Sequence, residues 1–175
     1  MFKIQASNPR IIKEFDREAN NISDAIESSF PLNSEYAVII WNYVPVLLSY
    51  KYDISIIIDD ILMMLNKIRC EKEGVMRIRW PSNTFACTWQ IEWRDNNITI
   101  YTEWESVIGD TECLLNARKE LVVDSVLFLA EWKKILFNII QALEGCGYSR
   151  KTLKGFPALV NEFEAIKDYG ILYEQ

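Results

Sequence analysis

The chain has 175 residues, half of them apolar, and carries 19 basic against 25 acidic side chains for a formal charge of -6. That length suits one hydrophobic core, so the sequence predicts a single α+β domain over residues 1–175. The acidic balance argues against direct nucleic-acid binding, and the absence of histidine excludes histidine-dependent triads and the usual zinc proteases.

The sequence indicates a cytoplasmic protein from a reducing compartment. Its cysteines, Cys70, Cys87, Cys113 and Cys146, are far apart and form no CxxC pair, so we expect four buried thiols. Residues 1–10 offer no apolar signal segment. The most apolar stretch, residues 37–65, is interrupted by charges and indicates core rather than a membrane span. We therefore expect no disulfide, metal, cofactor or membrane partner.

The first predicted element is an amphipathic helix. Asn8 can cap it, with Pro9 at its first position, and it ends near Phe30. The apolar side chains on its inner side recur at spacings of three and four residues and are Ile12, Phe15, Ala19, Ile22 and Ile26.

Two strands and a second helix follow. Residues 35–41 and 44–50 are rich in β-branched and aromatic side chains, which favours strands, and Pro45 suits a strand start or an edge. Asp53 can cap a helix that runs to about Arg69 and is apolar around most of its circumference. On this helix the acids Asp59 and Asp60 flank Ile56 and Met63.

A turn at Lys72-Glu73-Gly74 leads into a strand that ends at Pro81, and a hairpin comes next. Its turn is Asp95-Asn96 or Asn96-Asn97. One side of the hairpin is predicted to face inward and carries Phe85, Cys87, Trp89, Ile91, Trp93, Ile98, Ile100, Thr102 and Trp104. The polar side carries Thr88, Gln90, Glu92, Arg94, Thr99, Tyr101, Glu103 and Glu105.

The last third combines one strand with two helices. Residues 120–123 favour a strand, and Leu114-Leu115 suit its neighbour. Helical spacing then holds from Ser125 to Gly145, and Pro157 opens a final helix that ends at Gly170. The predicted fold is therefore α+β, with a mainly antiparallel sheet, a central Trp-rich hairpin and about four helices.

No residue pattern points strongly to catalysis. Glu103 and Glu105 lie two residues apart on one strand, about 6 to 7 Å between backbone positions, which fits a glycosidase pair. Strand alternation alone gives that distance, so a solvated sheet surface is the favoured interpretation. The chain contains no calcium loop, GxGxxG, GxxxxGK[ST] or GxSxG motif. We expect a protein that is not an enzyme.

In these features the chain resembles the immunity proteins of bacterial contact-dependent inhibition and other polymorphic toxin systems. The resemblance rests on the acidic α+β layout, the lack of histidine, the Trp-rich hairpin over residues 88–104 and the helical segment over residues 128–132. It implies a cytoplasmic protein that binds and neutralises a cognate toxin domain, often a basic nuclease. These proteins share no common active site, so no family residue is carried over.

Two sets of exposed residues are the predicted contacts with such a partner. The hairpin offers Glu92, Tyr101, Glu103 and Glu105, and the second helix offers Asp59, Asp60 and Met63. Two alternatives stay open: an adaptor or chaperone for another protein, and an enzyme that uses carboxylates or tyrosine. A deep pocket with convergent polar groups would favour the enzyme.

Overall fold

The computed structural model describes residues 1–168, and the fold is α+β as predicted. In chain order the elements are β1 (Phe2–Gln5), α1 (Ile22–Ser29), β2 (Ala37–Trp41), β3 (Val44–Leu48), a π-helical turn (Tyr50–Ile54), α2 (Ile58–Cys70), β4 (Glu73–Ser82), β5 (Phe85–Arg94), β6 (Asn97–Val107), α3 (Glu112–Asn116), β7 (Glu120–Asp124), α4 (Ser125–Gly145) and α5 (Phe156–Ala165). The strands form two antiparallel sheets, ordered β1-β2-β3 and β4-β5-β6-β7. Within residues 1–168, none of the helices combines the length and apolar character needed to traverse a lipid bilayer.

The first sheet contains the two predicted strands and one that was not predicted. β2 and β3 confirm the prediction, and Pro45 lies on β3, an outer strand where the missing N–H is tolerated. β1 pairs with β2 and places Phe2 beside Trp41. With only Phe2 and Ile4 buried, β1 is too short to show a clear alternation in the sequence.

The predicted first helix is wrong over its first half. Helix α1 begins only after Asn21, whose side chain accepts a 3.0 Å hydrogen bond from a backbone N–H of the first turn. Residues 6–21, including the predicted cap Asn8, form no helix or strand. Ile11 and Ala19 pack against the core, whereas Ile12 and Phe15, which were predicted to face inward, are 40% and 49% exposed. The regular spacing in this segment therefore does not mark one buried side.

The prediction that Asp53 caps α2 is wrong. Asp53 is instead buried within the π-helical turn. Its carboxylate accepts hydrogen bonds from the Ser49 backbone N–H at 2.7 Å and from Thr84 Oγ1 at 2.6 Å. These bonds satisfy the buried charge and tie the turn to the connection between β4 and β5. Helix α2 begins at Ile58 without a side-chain cap.

The hairpin is confirmed, including its register. β5 and β6 pair antiparallel around Asp95-Asn96, with φ of 52° at Asp95, and Trp93 lies opposite Ile98. β4 begins at Glu73, inside the predicted turn, because the chain is already extended there. The inward side chains of the hairpin are buried, and those of the polar side are largely exposed.

The segment before β7 is helical, so the predicted strand at Leu114-Leu115 is wrong. Only Leu115 of the pair is buried, within the short helix α3. The Asn116 side chain bonds both the N–H and the C=O of Trp104, and so occupies backbone groups of β6 that a neighbouring strand would use. β7 confirms the predicted strand at residues 120–123.

Helix α4 follows the prediction closely, whereas α5 begins as predicted but ends earlier. Asp124 caps α4, accepting hydrogen bonds from the Val126 and Leu127 backbone N–H groups, and α4 ends at Gly145 as predicted. Pro157 lies in the first turn of α5, which ends at Ala165. The predicted stop at Gly170 lies outside the described residues.

Five buried tryptophans join the two sheets and α4: Trp41, Trp80, Trp89, Trp104 and Trp132. The ring of Trp41 in the first sheet lies 5.3 Å from Trp89 and 5.6 Å from Trp104 in the second. Such offset and edge-to-face contacts match the electropositive ring edge to the electronegative ring face. The cluster thus fixes the position of one sheet against the other.

Candidate partner-binding surfaces

A line of exposed side chains runs along the π-helical turn and α2, and we name it the α2 ridge. It consists of Tyr52, Ile56, Asp59, Asp60 and Met63. Spacings of three and four residues bring these side chains to one side of the helical segment, while the other side is buried in the core. The exposed fractions of Tyr52, Ile56 and Met63 are 37%, 52% and 44%. The ridge is therefore an outward apolar surface on a firmly packed helix.

The two acids of the ridge are free of ion pairs within residues 1–168. Asp59 and Asp60 lie in the first turn of α2, where the helix dipole favours negative charge. The structure thus places the predicted Asp59, Asp60 and Met63 on one exposed surface. Ile56 was predicted to lie beside Met63 between these acids but not to contact a partner, and Tyr52 was not predicted, although helical spacing counted backwards from Met63 reaches it.

The second surface is the outer side of the four-stranded sheet, which we name the open sheet face. The strand register sets Arg77, Gln90, Tyr101 and Glu120 side by side across it, and all four are exposed. The predicted hairpin residues Glu92, Tyr101, Glu103 and Glu105 all lie on this face and are exposed. Their placement agrees with the prediction from strand alternation.

One of these acids, Glu105, already has a partner. The Arg79 guanidinium donates to both carboxylate oxygens, at 2.6 Å for Oε2, and both side chains are about half exposed. These hydrogen bonds are the main reason that the pKa of Glu105 is lowered and the pKa of Arg79 is raised. A general acid needs a raised pKa, so the pairing argues against Glu105 as the general acid of a glycosidase pair.

The centre of the open sheet face carries mixed charge. A polar cavity of about 280 Å³ lies there, lined by Arg77, Thr88, Gln90, Tyr101, Thr102, Glu103 and Lys119. Because Arg77 and Lys119 lie beside Glu103, a basic partner meets repulsion as well as attraction at this point. The α2 ridge, by contrast, contains two acids and no lysine or arginine.

The two sets of predicted residues do not form one site. Helix α2 packs against β4 through its buried side, on the core side of the second sheet. Glu92, Tyr101, Glu103 and Glu105 point away from that core. A partner that binds both sets must therefore wrap around the edge of the sheet, or the two surfaces act separately.

A third acidic surface was not predicted. A hollow of about 370 Å³ near the start of α1 is lined by Asp16, Glu18, Asp24 and Glu27, with Lys51 at its side. The Lys51 ammonium donates to the Glu27 backbone C=O at 2.6 Å. The signal in the sequence is the density of acids between residues 14 and 27, which the helical interpretation of that segment obscured.

Two of the four thiols are exposed, so the prediction of four buried cysteines is wrong. Cys87 and Cys146 are buried, whereas Cys70 at the end of α2 and Cys113 on the short surface helix α3 are exposed, and all four are free. Burial raises the pKa of the Cys87 thiol and keeps it neutral. No group of three or more His, Cys, Asp or Glu side chains in the described part of the chain is arranged to hold a metal ion.

No protein-family model, curated protein or solved structure matches this chain. The choice among functions therefore depends on the surfaces themselves.

Proposed function

We propose that the protein binds and neutralises a cognate basic toxin domain, a nuclease, in the cytoplasm of the cell that produces the toxin. The α2 ridge carries this proposal, because it joins exposed apolar side chains to two acids that are free of ion pairs within residues 1–168. The resemblance of the sequence to immunity proteins supports the same conclusion.

Electrostatics favours a nuclease as the partner. A nuclease binds a polyanion through lysine and arginine side chains, and these attract a protein whose formal charge is -6. Complementary charge speeds the encounter and excludes wrong partners. Asp59 and Asp60 then occupy basic groups of the nuclease that otherwise contact phosphates.

The apolar side chains of the ridge add the second requirement of a stable interface. Binding energy concentrates in a few large side chains near the centre of an interface, surrounded by a polar rim. Tyr52, Ile56 and Met63 are the large side chains, and the acids form the rim. A convex helical surface of this kind fits a groove in the partner.

The ridge is a better candidate than the open sheet face for two reasons. Glu105 must break its ion pair with Arg79 before it binds a basic partner, and the loss of that pair reduces the favourable free energy of binding. Arg77 and Lys119 also lie beside Glu103. We therefore assign the main contact to the ridge.

The proposal predicts that a toxin domain is encoded beside this gene, and growth of cells that express such a domain tests it. The native chain should restore growth and abolish the nuclease activity of the purified toxin domain. Asp59→Lys with Asp60→Lys should lose both effects, whereas the matched double change Glu103→Lys with Glu105→Lys should keep them. A native chain that leaves both growth and nuclease activity unchanged disproves the proposal.

The nuclease assay also separates inhibition from an adaptor role. An adaptor or chaperone binds its partner and leaves the activity of that partner intact. A complex that forms and still cleaves nucleic acid therefore favours the adaptor and counts against neutralisation.

A further inference from the structure

Strand β4 has a free outer edge. It pairs with β5 on one side, and within residues 1–168 no other hydrogen bond uses its backbone groups. Glu131 accepts from the Ile4 N–H on β1, and Asn42 Nδ2 donates to the Glu120 C=O on β7 at 2.7 Å. The remaining outer strand, β3, is also unpaired on its outer side within the described residues but carries Pro45 near its start, whereas Pro81 of β4 lies near the end of that strand. Unpaired strand edges are templates for another strand.

The side chains that β4 presents outward have a self-complementary charge pattern. Glu73, Val75, Arg77 and Arg79 alternate along the strand and are exposed, Val75 to 65%. An acid therefore lies two residues before Val75 and a base two residues after it. Glu71 lies in extended backbone just before the strand, four residues before Val75, and Arg79 lies four residues after Val75. This outer pair therefore also has an acid before Val75 and a base after it.

We propose that β4 pairs antiparallel with β4 of a second copy of this chain, with Val75 on the two-fold axis. This register sets Glu73 opposite Arg77 of the second copy, twice, and brings the two Val75 side chains together. Opposite charges that face each other across strands stabilise a sheet. The two four-stranded sheets then join into one.

The charges also select this register over the one centred on Arg77. Centring the pair on Arg77 instead would place that arginine opposite itself, and like charges directly opposite each other are destabilising. Arg77 forms no ion pair within the described residues. Glu73 contacts Arg94 at 3.2 Å, but these side chains are 69% and 80% exposed, so their pair is weak and exchangeable.

Sedimentation velocity of the full chain at low salt, over a wide concentration range, tests the proposal. We expect a dimer whose dissociation constant rises at least roughly tenfold with Glu73→Arg or with Arg77→Glu, since each change turns two attractive contacts into two repulsive ones. Far-UV circular dichroism checks that each variant is folded. Glu120→Arg on β7, at the opposite edge of the sheet, is the matched control and should leave the dimer unchanged.

Mixing the two variants gives the sharpest result. The Glu73→Arg chain carries excess positive charge on β4 and the Arg77→Glu chain excess negative charge, so the mixture should recover the dimer that each variant alone loses. A native chain that stays monomeric at all concentrations overturns the proposal. So does a dimer that ignores both changes, or a mixture that does not recover. None of these outcomes depends on whether a toxin is bound.

Discussion

At the scale of single residues, the contact between Trp93 and Gly74 shows what sequence reasoning reaches and what it misses. Alternation along the hairpin predicted that Trp93 is buried, and it is 4% exposed. Gly74 was interpreted as a turn residue, but it lies opposite Trp93, and a Cβ there would fall 2.2 Å from Trp93 Cζ2. The need for glycine depends on the neighbouring strand, which local sequence does not specify.

This contact yields a double-mutant prediction. Trp93→Ala should lower the free energy of unfolding by about 3 to 5 kcal/mol, as for other buried aromatic truncations. Gly74→Ala should cost about 1 to 3 kcal/mol because the methyl group overpacks the indole. The double variant should cost less than the sum, since the clash disappears with the ring. Urea denaturation measures all three, and strict additivity would show that the ring does not cover Gly74.

Tyr50 gives a prediction about alkaline pH. Its buried hydroxyl donates to the Ala6 C=O at 2.6 Å and accepts from Asn138 Nδ2 at 2.9 Å. Burial raises the pKa of Tyr50 above its unfolded value of about 10. Its contribution to stability is therefore complete below pH about 10 and is lost as the pH rises further, because unfolding then releases a proton.

The unfolding free energy should therefore fall as the pH rises from about 10 to about 11. Tyr50→Phe should show a smaller fall over that range, whereas Tyr101→Phe, at an exposed position, should keep the native profile. Equilibrium denaturation at several pH values measures this. If the unfolding free energy of the native chain and of Tyr50→Phe depended on pH in the same way, Tyr50 would not be a source of the pH dependence.

At the scale of elements, α5 depends on a buried ion pair with α2. Glu162, whose side chain is 6% exposed, accepts from Arg69 Nε at 3.0 Å and Nη2 at 2.9 Å, and also from Asn66 Nδ2 at 3.2 Å. Glu162→Gln should cost about 1 to 3 kcal/mol, because it leaves the guanidinium partly buried beside a neutral group. Hydrogen exchange in α5 should speed up.

Glu164→Gln on the same helix is the control. Glu164 pairs with Arg150, but the two side chains are 59% and 50% exposed, so its loss should cost well under about 1 kcal/mol. Equal losses for the two variants would mean that burial of the Glu162 pair does not stabilise the position of α5.

Elements with strong local signals were predictable, and those set by distant contacts were not. β5, β6 and α4 combine a clear period with a turn or cap, so their sequences alone define them. Residues 6–21 keep helical spacing without helical backbone, and Ile12 and Phe15, which carry that spacing, are exposed. Helix α3 replaces a predicted strand because Asn116 occupies backbone groups of β6.

At the scale of the whole molecule, the candidate surfaces were only partly predictable. Helical spacing located Asp59, Asp60 and Met63, since one helix is a local feature. Strand alternation placed Glu105 on the outer face but could not show its pairing with Arg79, which depends on the register of β4, β5 and β6. Net charge likewise predicts the sign of charge on the proposed partner but not the surface that the partner contacts.

The stability of the whole protein should not depend on metal or redox state. All four thiols are free, and the described residues hold no metal-binding cluster. The melting temperature should therefore stay the same in chelator and in reductant, as followed by calorimetry. A fall of many degrees with either reagent would reveal a structural metal or disulfide.

Calorimetric titration of the chain with its cognate toxin domain, which the proposal expects to be encoded beside its gene, is the most direct test of the central claim. We predict tight binding that weakens with added salt, and a dissociation constant that rises at least roughly tenfold for Asp59→Lys with Asp60→Lys. Glu103→Lys with Glu105→Lys should change it much less. An absence of binding by the native chain, or equal affinity for the native chain and the ridge variant, would contradict recognition through the α2 ridge.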